Sequence, residues 1–376
     1  MALSQASFKV TLYERANALE EFGAGLQLTP NATRVLSHLG VLESVCQFAT
    51  RPAGVLALRG ADNAELMRLP LDNAERRWGA PYLVVHRADL QRALADAVRR
   101  EPAVDIALGV TVASFATNGD GISVALRRGA TGTCDTADLL IGADGLHSRV
   151  RQRLGQGAAG QADFTGRVAY RATVDVGDTD FQWNRRDIVL RLGPKAHLVQ
   201  YPLRGGSIVN LVAIIESPWR AGRADRLWDS AGDASTLDRA FAKWSAETRM
   251  LLKAPTEWRA WPLYDRPPIA SFSFGHVALV GDAAHPMVPF LAQGAAQAIE
   301  DAGALGRIFS EIGNISAGLA AYSHHRVARA SRVQSEALNQ GLIYHFSGPL
   351  AYARDATIRL LGPKRISARY DWLYGA

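Results

Sequence analysis

The sequence predicts an α/β chain: a discontinuous nucleotide-binding-type domain, an inserted antiparallel β-sheet and a helical tail. Three observations lead there. Near-continuous apolar strands run straight into turns and helices at Asp138–Ala143 and at His276, the pattern of parallel strands buried on both faces. From Arg167 to Pro262 the texture changes to period-2 alternation (VAYRATV, DIVLRL, HLVQYP, SIVNLVAII, WRAWPL), the mark of antiparallel strands with one polar face. Beyond Ala317 the pattern is helical.

The elements follow in order. FKVTLY (Phe8–Tyr13) reads as a strand ending at Glu14 and Arg15, followed by a glycine loop, GAGLQLTP, from Gly23 to Pro30. A helix follows from about Asn31 to Leu39, with Ala32, Val35, Leu36 and Leu39 as its apolar stripe and Gly40 as its cap. Tyr82–His86 is a strand, and Arg87–Arg100 a helix with Leu90, Leu94, Ala97 and Val98 on one face. Val104–Leu108, Val110–Ala116 and Ile122–Arg127 are short strands, and one helix is expected from about Leu237 to Leu252. The corresponding division is 1–60, 80–165 and 266–315 for the nucleotide-binding domain, 61–79 and 166–265 for the inserted domain, and 316–376 for the helical region.

Composition narrows the function. With 376 residues, 48% of them hydrophobic, the chain can build a large core, yet no apolar run approaches the ~20 residues of a membrane helix. MALSQASFKV lacks the layout of a signal peptide, and Cys46 and Cys134 have neither metal nor redox spacing. A cytoplasmic protein with reduced thiols is expected. The net charge of +6 rests on scattered arginines, and no nucleic-acid motif accompanies them. Two clusters, Arg149, Arg151 and Arg153, and Arg326, Arg329 and Arg332, have helical spacing and read as solvated faces.

The run HVALVGDAAHPMVPFLAQGAAQAIEDA (His276–Ala302) carries the most chemistry. It reads as a buried strand, a tight Gly281–Asp282 turn, a loop shaped by Pro286 and Pro289, and a long helix from about Gln293. Asp282 can accept hydrogen bonds from a polyol, and the helix start near Gly294 and Ala295 offers free N–H groups to developing negative charge. Glu14, at a strand end, suits ribose hydroxyls. Asp144 and Gly145, at a strand-to-helix turn, suit close approach of a phosphate or a plain capped turn. A literal GxGxxG, Gly155 to Gly160, lacks the preceding strand the fingerprint needs and reads as a helix cap and linker.

Together with VTLYERA, GAGLQLTPNATRVL, HRADLQRAL, LLIGADGLHSRVR, WPLYDRPP, YSHHRVARASRVQ and DWLYG, this run resembles the group A flavoprotein monooxygenases. These have the p-hydroxybenzoate hydroxylase fold, a Rossmann-like FAD-binding domain with an inserted substrate-domain sheet; the salicylate hydroxylase-like branch is the nearest in flavour. The resemblance implies FAD as cofactor, NADH or NADPH as reductant, and O2 as cosubstrate. It implies hydroxylation of a small phenolic acid through a flavin C4a-hydroperoxide, with a ubiquinone-pathway-type hydroxylase or an epoxidase as the alternative. It places Glu14 and Arg15 at the adenosine ribose, Arg87 at the ribityl-phosphate region, Asp144 and Gly145 in the motif shared by FAD and NAD(P)H, Gly281 and Asp282 at the ribityl chain, and Pro289, Gly294 and Ala295 near the ring. The phenol needs a base, and His197, Tyr201 and His285 are the candidates. His197 and Tyr201 share one face of HLVQYP. A monomer or homodimer without a membrane span is expected. Family members open with a strand and GxGxxG turn that grip the pyrophosphate. Here FKVTLY matches the second strand, so one βα unit of roughly thirty residues is expected to be missing. A non-catalytic relative with impaired FAD binding is the corresponding alternative.

Overall fold

A computed structural model describes residues 1–19, 25–119, 121–155, 162–178, 181–218 and 230–375. The chain opens with a short helix, α1 (Ala2–Gln5), and strand β1 (Val10–Glu14). Next, β2 (Gly25–Leu28) occupies part of the expected glycine loop; it lies in the extended conformation because it pairs antiparallel with β5 (Leu83–His86). Between them come α2 (Pro30–His38), α3 (Leu42–Cys46), β3 (Gly54–Arg59), β4 (Glu65–Pro70) and α4 (Ala74–Trp78). Proline at the first position of α2 suits a helix start, where its missing N–H costs nothing. Helix α5 (Arg87–Arg99) buries Leu90, Ala93 and Ala97 against Leu28, Leu36 and Val85, as its stripe predicted.

Strands β6 (Val104–Leu108), β7 (Thr111–Asn118), β8 (Gly121–Arg128) and β9 (Thr131–Ala137) follow; β9 was not expected from sequence, being polar and exposed along its length. Then come β10 (Leu140–Gly142) and α6 (Arg149–Arg153). The inserted region holds β11 (Asp163–Asp175), β12 (Ile188–Gly193), β13 (Ala196–Leu203), β14 (Ile208–Glu216), β15 (Ser230–Ala231), α7 (Ala234–Ala240), α8 (Ala246–Lys253) and β16 (Arg259–Asp265). The helix expected over Leu237–Leu252 is thus two helices. Ser245 breaks it: its hydroxyl accepts from the Thr248 N–H and starts α8 afresh. The return segment is β17 (Ser273–Phe274), β18 (Val277–Leu279), α9 (Gly294–Glu311), α10 (Ile315–Tyr344), α11 (Gly348–Ala368) and α12 (Asp371–Tyr374).

Strand pairing divides the molecule. On one side stands an eight-stranded sheet in the order β15–β16–β11–β14–β13–β12–β3–β4, antiparallel except for the parallel pair β12–β3. Gly54–Arg59 therefore belongs with the inserted sheet, although the sequence places it in the nucleotide-binding domain; its apolar residues pair with Ile188–Leu192. One face of this sheet packs on Phe241, Trp244, Leu251 and Trp258. The other carries Ala169, Ile214, Val199 and Tyr201 toward Phe290 and helix α10. On the other side the strands fall into small groups: β1 parallel to β6, β10 parallel to β18, β2 with β5, and the meander β7–β8–β9. Among the described residues, parallel β1 and β10 each have one hydrogen-bonded neighbour, and both line a cleft of about 1900 Å³.

Each arginine cluster is only partly a solvated face: Arg149, Arg153 and Arg332 are exposed, but one member of each cluster is buried. Arg151 and Arg326 are each about 1% exposed. The Arg151 Nη1 donates to the carbonyls of Ala283 and Ala284. The Arg326 guanidinium meets Asp301 (2.7 Å), Glu300 and the Gln297 side chain, tying α10 to α9. Partners this distant in sequence are invisible to helical spacing. His324 and His325 are exposed, and His325 Nε2 lies 2.8 Å from Arg307. Cys46 and Cys134 are free thiols. Of the GxGxxG run only Gly155, which closes α6 at positive φ, is among the described residues.

Candidate active site

The cleft beside β1 and β10 gathers Glu14, Arg15, Asp144, Gly145 and Asp282. Each reaches it through local structure. Glu14 ends β1, and its carboxylate accepts from the Ala16 N–H at 2.7 Å, which turns the chain away from the strand end. Asp144 is committed to the start of α6: one oxygen accepts from Ser148 Oγ (2.5 Å), the other from the Arg149 and Val150 N–H groups (2.7 and 3.2 Å). That is the capped turn that sequence leaves open beside phosphate binding. Gly145 adopts φ +76° with open space where a Cβ would stand.

Gly281 follows β18 at φ +57°, a conformation that favours glycine. Its N–H donates to Asp301 Oδ2 at 2.9 Å. This fixes the turn that presents Asp282. The Asp282 carboxyl is open to solvent through the cleft but deeply surrounded by protein, and burial raises its pKa against the opposing pull of His285 and Arg87. Pro289 starts a 3-10 turn, Ala292 takes a left-handed conformation, and Gly294 opens α9. No side chain caps that eighteen-residue helix, and Gly294 meets nothing within 4 Å of an ideal Cβ position. Its first N–H groups are thus accessible to an acceptor.

These features fit the two ends of a dinucleotide: an acid at a strand end, a second acid over a glycine turn, and a bare helix start. Between β1 and β10 there is no strand among the described residues, and the fit there is to an open cleft rather than to a nest of N–H groups.

A second group of side chains lies on the large sheet. His197, Val199, Tyr201 and Leu203 alternate onto one face of β13, with Ile214, Val212 and Asn210 opposite on β14, and Ala169, Arg171 and Thr173 beyond on β11. Tyr201 is 3% exposed, and burial drives its hydroxyl pKa up. Gly25 touches it so closely that a Cβ there would stand 2.6 Å from the ring, and the Gly25 N–H donates to Asn210 Oδ1 at 2.8 Å. The Arg171 guanidinium lies over the Trp261 ring at 5.3 Å. Burial, with the Arg87 charge adding to it, lowers its pKa to about 10. Its Nε and the Asn210 Nδ2 are buried without a hydrogen-bond partner among the described residues. Arg87 joins the two groups, because its charge bears on Asp282 as well as on Tyr201 and Arg171.

The three base candidates separate. His197 and Tyr201 share a face, as the alternation predicts. His285 instead belongs to the buried network under the Gly281 turn: its Nε2 lies 2.6 Å from Asp301 Oδ2, and its ring packs on Phe272. Asp301 also receives Arg326 Nε, and these partners outweigh burial to hold its pKa low. His197 has different neighbours: His345, Phe290 and Tyr344. Arg171, Asn210 and His345 were not singled out as site residues from sequence. The alternation of VAYRATV and SIVNLVAII does place Arg171 and Asn210 on the Tyr201 face once the register is known.

An eight-stranded sheet beside a split α/β half, with acids and a bare helix start at the cleft, is an arrangement that suits a flavin-dependent oxidoreductase. The FAD binding domain family matches residues 1–337, and the chain belongs to this family of FAD-dependent monooxygenases. It is 33% identical to a 3-hydroxybenzoate 6-hydroxylase of Klebsiella oxytoca over 378 residues, covering 100% of this chain and 92% of that protein. It is also 33% identical to a salicylate hydroxylase of Pseudomonas putida, covering 97% of this chain and 86% of the relative. The solved structure of a Klebsiella pneumoniae HpxO variant complexed with FAD superposes with a TM-score of 0.86 at 25% identity, covering 99% of this chain and 94% of that one. The protein is an FAD-binding monooxygenase of the aromatic-acid hydroxylase group.

Proposed function

We propose that this protein hydroxylates a small phenolic acid, of the kind represented by 3-hydroxybenzoate and salicylate, using NADH or NADPH and O2. Bound FAD supplies electron transfer from the nicotinamide and activation of oxygen. The Asp282 turn and the start of α9 would hold its ribityl chain and ring edge, Arg87 would lie beside the ribityl-phosphate region, and Glu14 and Arg15 would face the adenosine end. Gly145, Gly281, Pro289, Gly294 and Ala295 would allow close backbone approach.

One observation carries the substrate reading. A buried imidazole, a buried phenol and a guanidinium with no carboxylate partner among the described residues stand on one face of one sheet. His197 would take the phenolic proton, which makes the ring electron-rich. Tyr201, its hydroxyl held protonated by burial, would donate a hydrogen bond to the substrate oxygen. Arg171 would pair with the carboxylate. The aromatic wall of Phe290, Tyr344 and Trp261 would exclude water. The protein is expected to act in the cytoplasm, as a monomer or homodimer; among the described residues no helix is long and apolar enough to cross a membrane.

The test is NADH and NADPH oxidation by the FAD-loaded protein, with and without 3-hydroxybenzoate, salicylate and 4-hydroxybenzoate, with products identified by mass spectrometry. Stimulated oxidation with a product heavier by one oxygen supports the proposal, and no response to any phenolic acid would sink it. The open cleft favours one second reading, a relative that retains FAD weakly, which a dissociation constant for FAD measured by flavin fluorescence would decide.

A further inference from the structure

Behind His197 stands a chain of polar groups that leads away from the sheet face. His197 Nδ1 lies 2.8 Å from His345 Nε2, and His345 Nδ1 lies 3.3 Å from Glu216 Oε1. Both imidazoles are buried, at 1% and 5% exposure, whereas the Glu216 side chain is 37% exposed at the end of β14. The rings are fixed by packing: His197 touches Phe290 and Tyr344 at 5.5 and 5.2 Å, and the backbone of Lys195 donates to the His345 carbonyl. The charged groups around the pair are Glu216 of β14, Arg167 of β11 and Arg354 of α11, the last engaged with Asp355.

The order of donors in such a chain is decided at its charged end. An ionised carboxylate only accepts, so His345 must carry its proton on Nδ1. A neutral imidazole has one proton, so His345 Nε2 is then an acceptor. The proton between the rings therefore sits on His197 Nδ1. His197 Nε2 is left with its lone pair, and it meets no hydrogen-bond partner among the described residues.

We infer that Glu216 and His345 are positioning residues that hold His197 in its Nδ1–H tautomer, with an unprotonated Nε2 presented to the substrate. The phenolic proton passes to Nε2 as the Nδ1 proton moves to His345 Nε2. His345 then releases its own Nδ1 proton to Glu216 and through it to solvent. Each ring gains one proton as it loses one, so neither imidazole is left charged, and the only new charge is that of the phenolate. Burial, reinforced by the charges of Arg167 and Arg354, keeps both imidazoles neutral, with the His345 pKa lowered to about 3 and that of His197 well below the usual histidine range.

The role of His197 as base rests on the proposed hydroxylation, but its tautomer can be read without turnover. In the FAD-loaded, ¹⁵N-histidine-labelled protein, NMR should show His197 with a protonated Nδ1 and a bare Nε2. Glu216→Leu should turn this into a mixture, while His345→Leu should remove the hydrogen bond to His197 Nδ1. A wild-type His197 protonated on Nε2, or a tautomer indifferent to Glu216→Leu, overturns the inference. With 3-hydroxybenzoate or salicylate as probe, both variants should lower kcat by at least ~10-fold, shift its pH profile to higher pH and leave KM nearly unchanged. Loss of KM alone, with kcat and pH profile intact, also overturns it. If no phenolic acid responds in the wild type but the tautomer is as described, the hydroxylase reading fails while the positioning assignment stands.

Discussion

The two halves of the molecule solve the same problem differently. The inserted half is one sheet of eight strands in which β11, β12, β13 and β14 are each paired on both sides. Its candidate catalytic residues lie on that continuous surface. The FAD-side half is built from strand pairs and triplets around a cleft, and its candidate ligand residues sit on turns and strand ends. Where ladders close, geometry is set by backbone pairing. Where they do not, it is set by side chains: Asp301 receives Gly281 N, His285 and Arg326 at once, while Asp144 caps α6. The FAD-side half thus depends on buried charge for what the inserted half obtains from its ladders.

Removing that charge should expose the difference most strongly. Arg326→Ala leaves Asp301 and Glu300 without their buried cation and is expected to cost about 3–5 kcal/mol, read by urea unfolding; a loss under about 1 kcal/mol would show that the cleft side is held by something else. His197→Gln on the closed sheet should cost little stability but about 100-fold in kcat with a phenolic acid, and unchanged turnover would remove His197 from the chemistry. Arg171→Leu should raise KM for the carboxylate-bearing phenol by about 10–100-fold, equivalent to one charge-assisted hydrogen bond, while sparing a phenol that lacks the carboxylate. An equal rise for both would mean that Arg171 serves something other than the carboxylate.

Protons probe the buried histidine pair without any substitution. His197 and His345 both have lowered pKa values in the folded protein and ordinary ones near 6.5 when unfolded. Below pH 6.5 the unfolded chain therefore binds more protons, and stability should fall as pH drops from there toward 3, with a slope approaching about two protons per molecule. Stability that is flat from pH 7 to 5 would contradict this neutral buried pair.

Much of this was legible in the chain, and the exceptions share a cause. The stripe of α5, the alternation of β13 and the strand–turn–helix from His276 follow from local periodicity, and they place Tyr201, His197 and Asp282 correctly relative to their own elements. What periodicity misses is partnership across long distances in sequence. Arg326 looks like a surface arginine until Asp301 is brought beneath it, and His345 is unremarked until β13 arrives 2.8 Å away. His285 looks like a base in its motif, but the helix that follows brings Asp301 against its ring. The break at Ser245 is absent from the sequence reading, which runs one helix through it; the Ser245 hydroxyl on the Thr248 N–H is what divides the segment.

Among the described residues β1 and β10 each leave one margin without a strand partner, which has a consequence for handling this chain. Parallel strands with free N–H and C=O groups are adhesive toward any extended chain, including other molecules of the same protein. The colloidal behaviour of this protein should therefore be governed by the FAD-side cleft rather than by overall charge. It should worsen with concentration and improve when something fills the cleft, so FAD in the buffer would act as a solubilising agent before it acts as a cofactor.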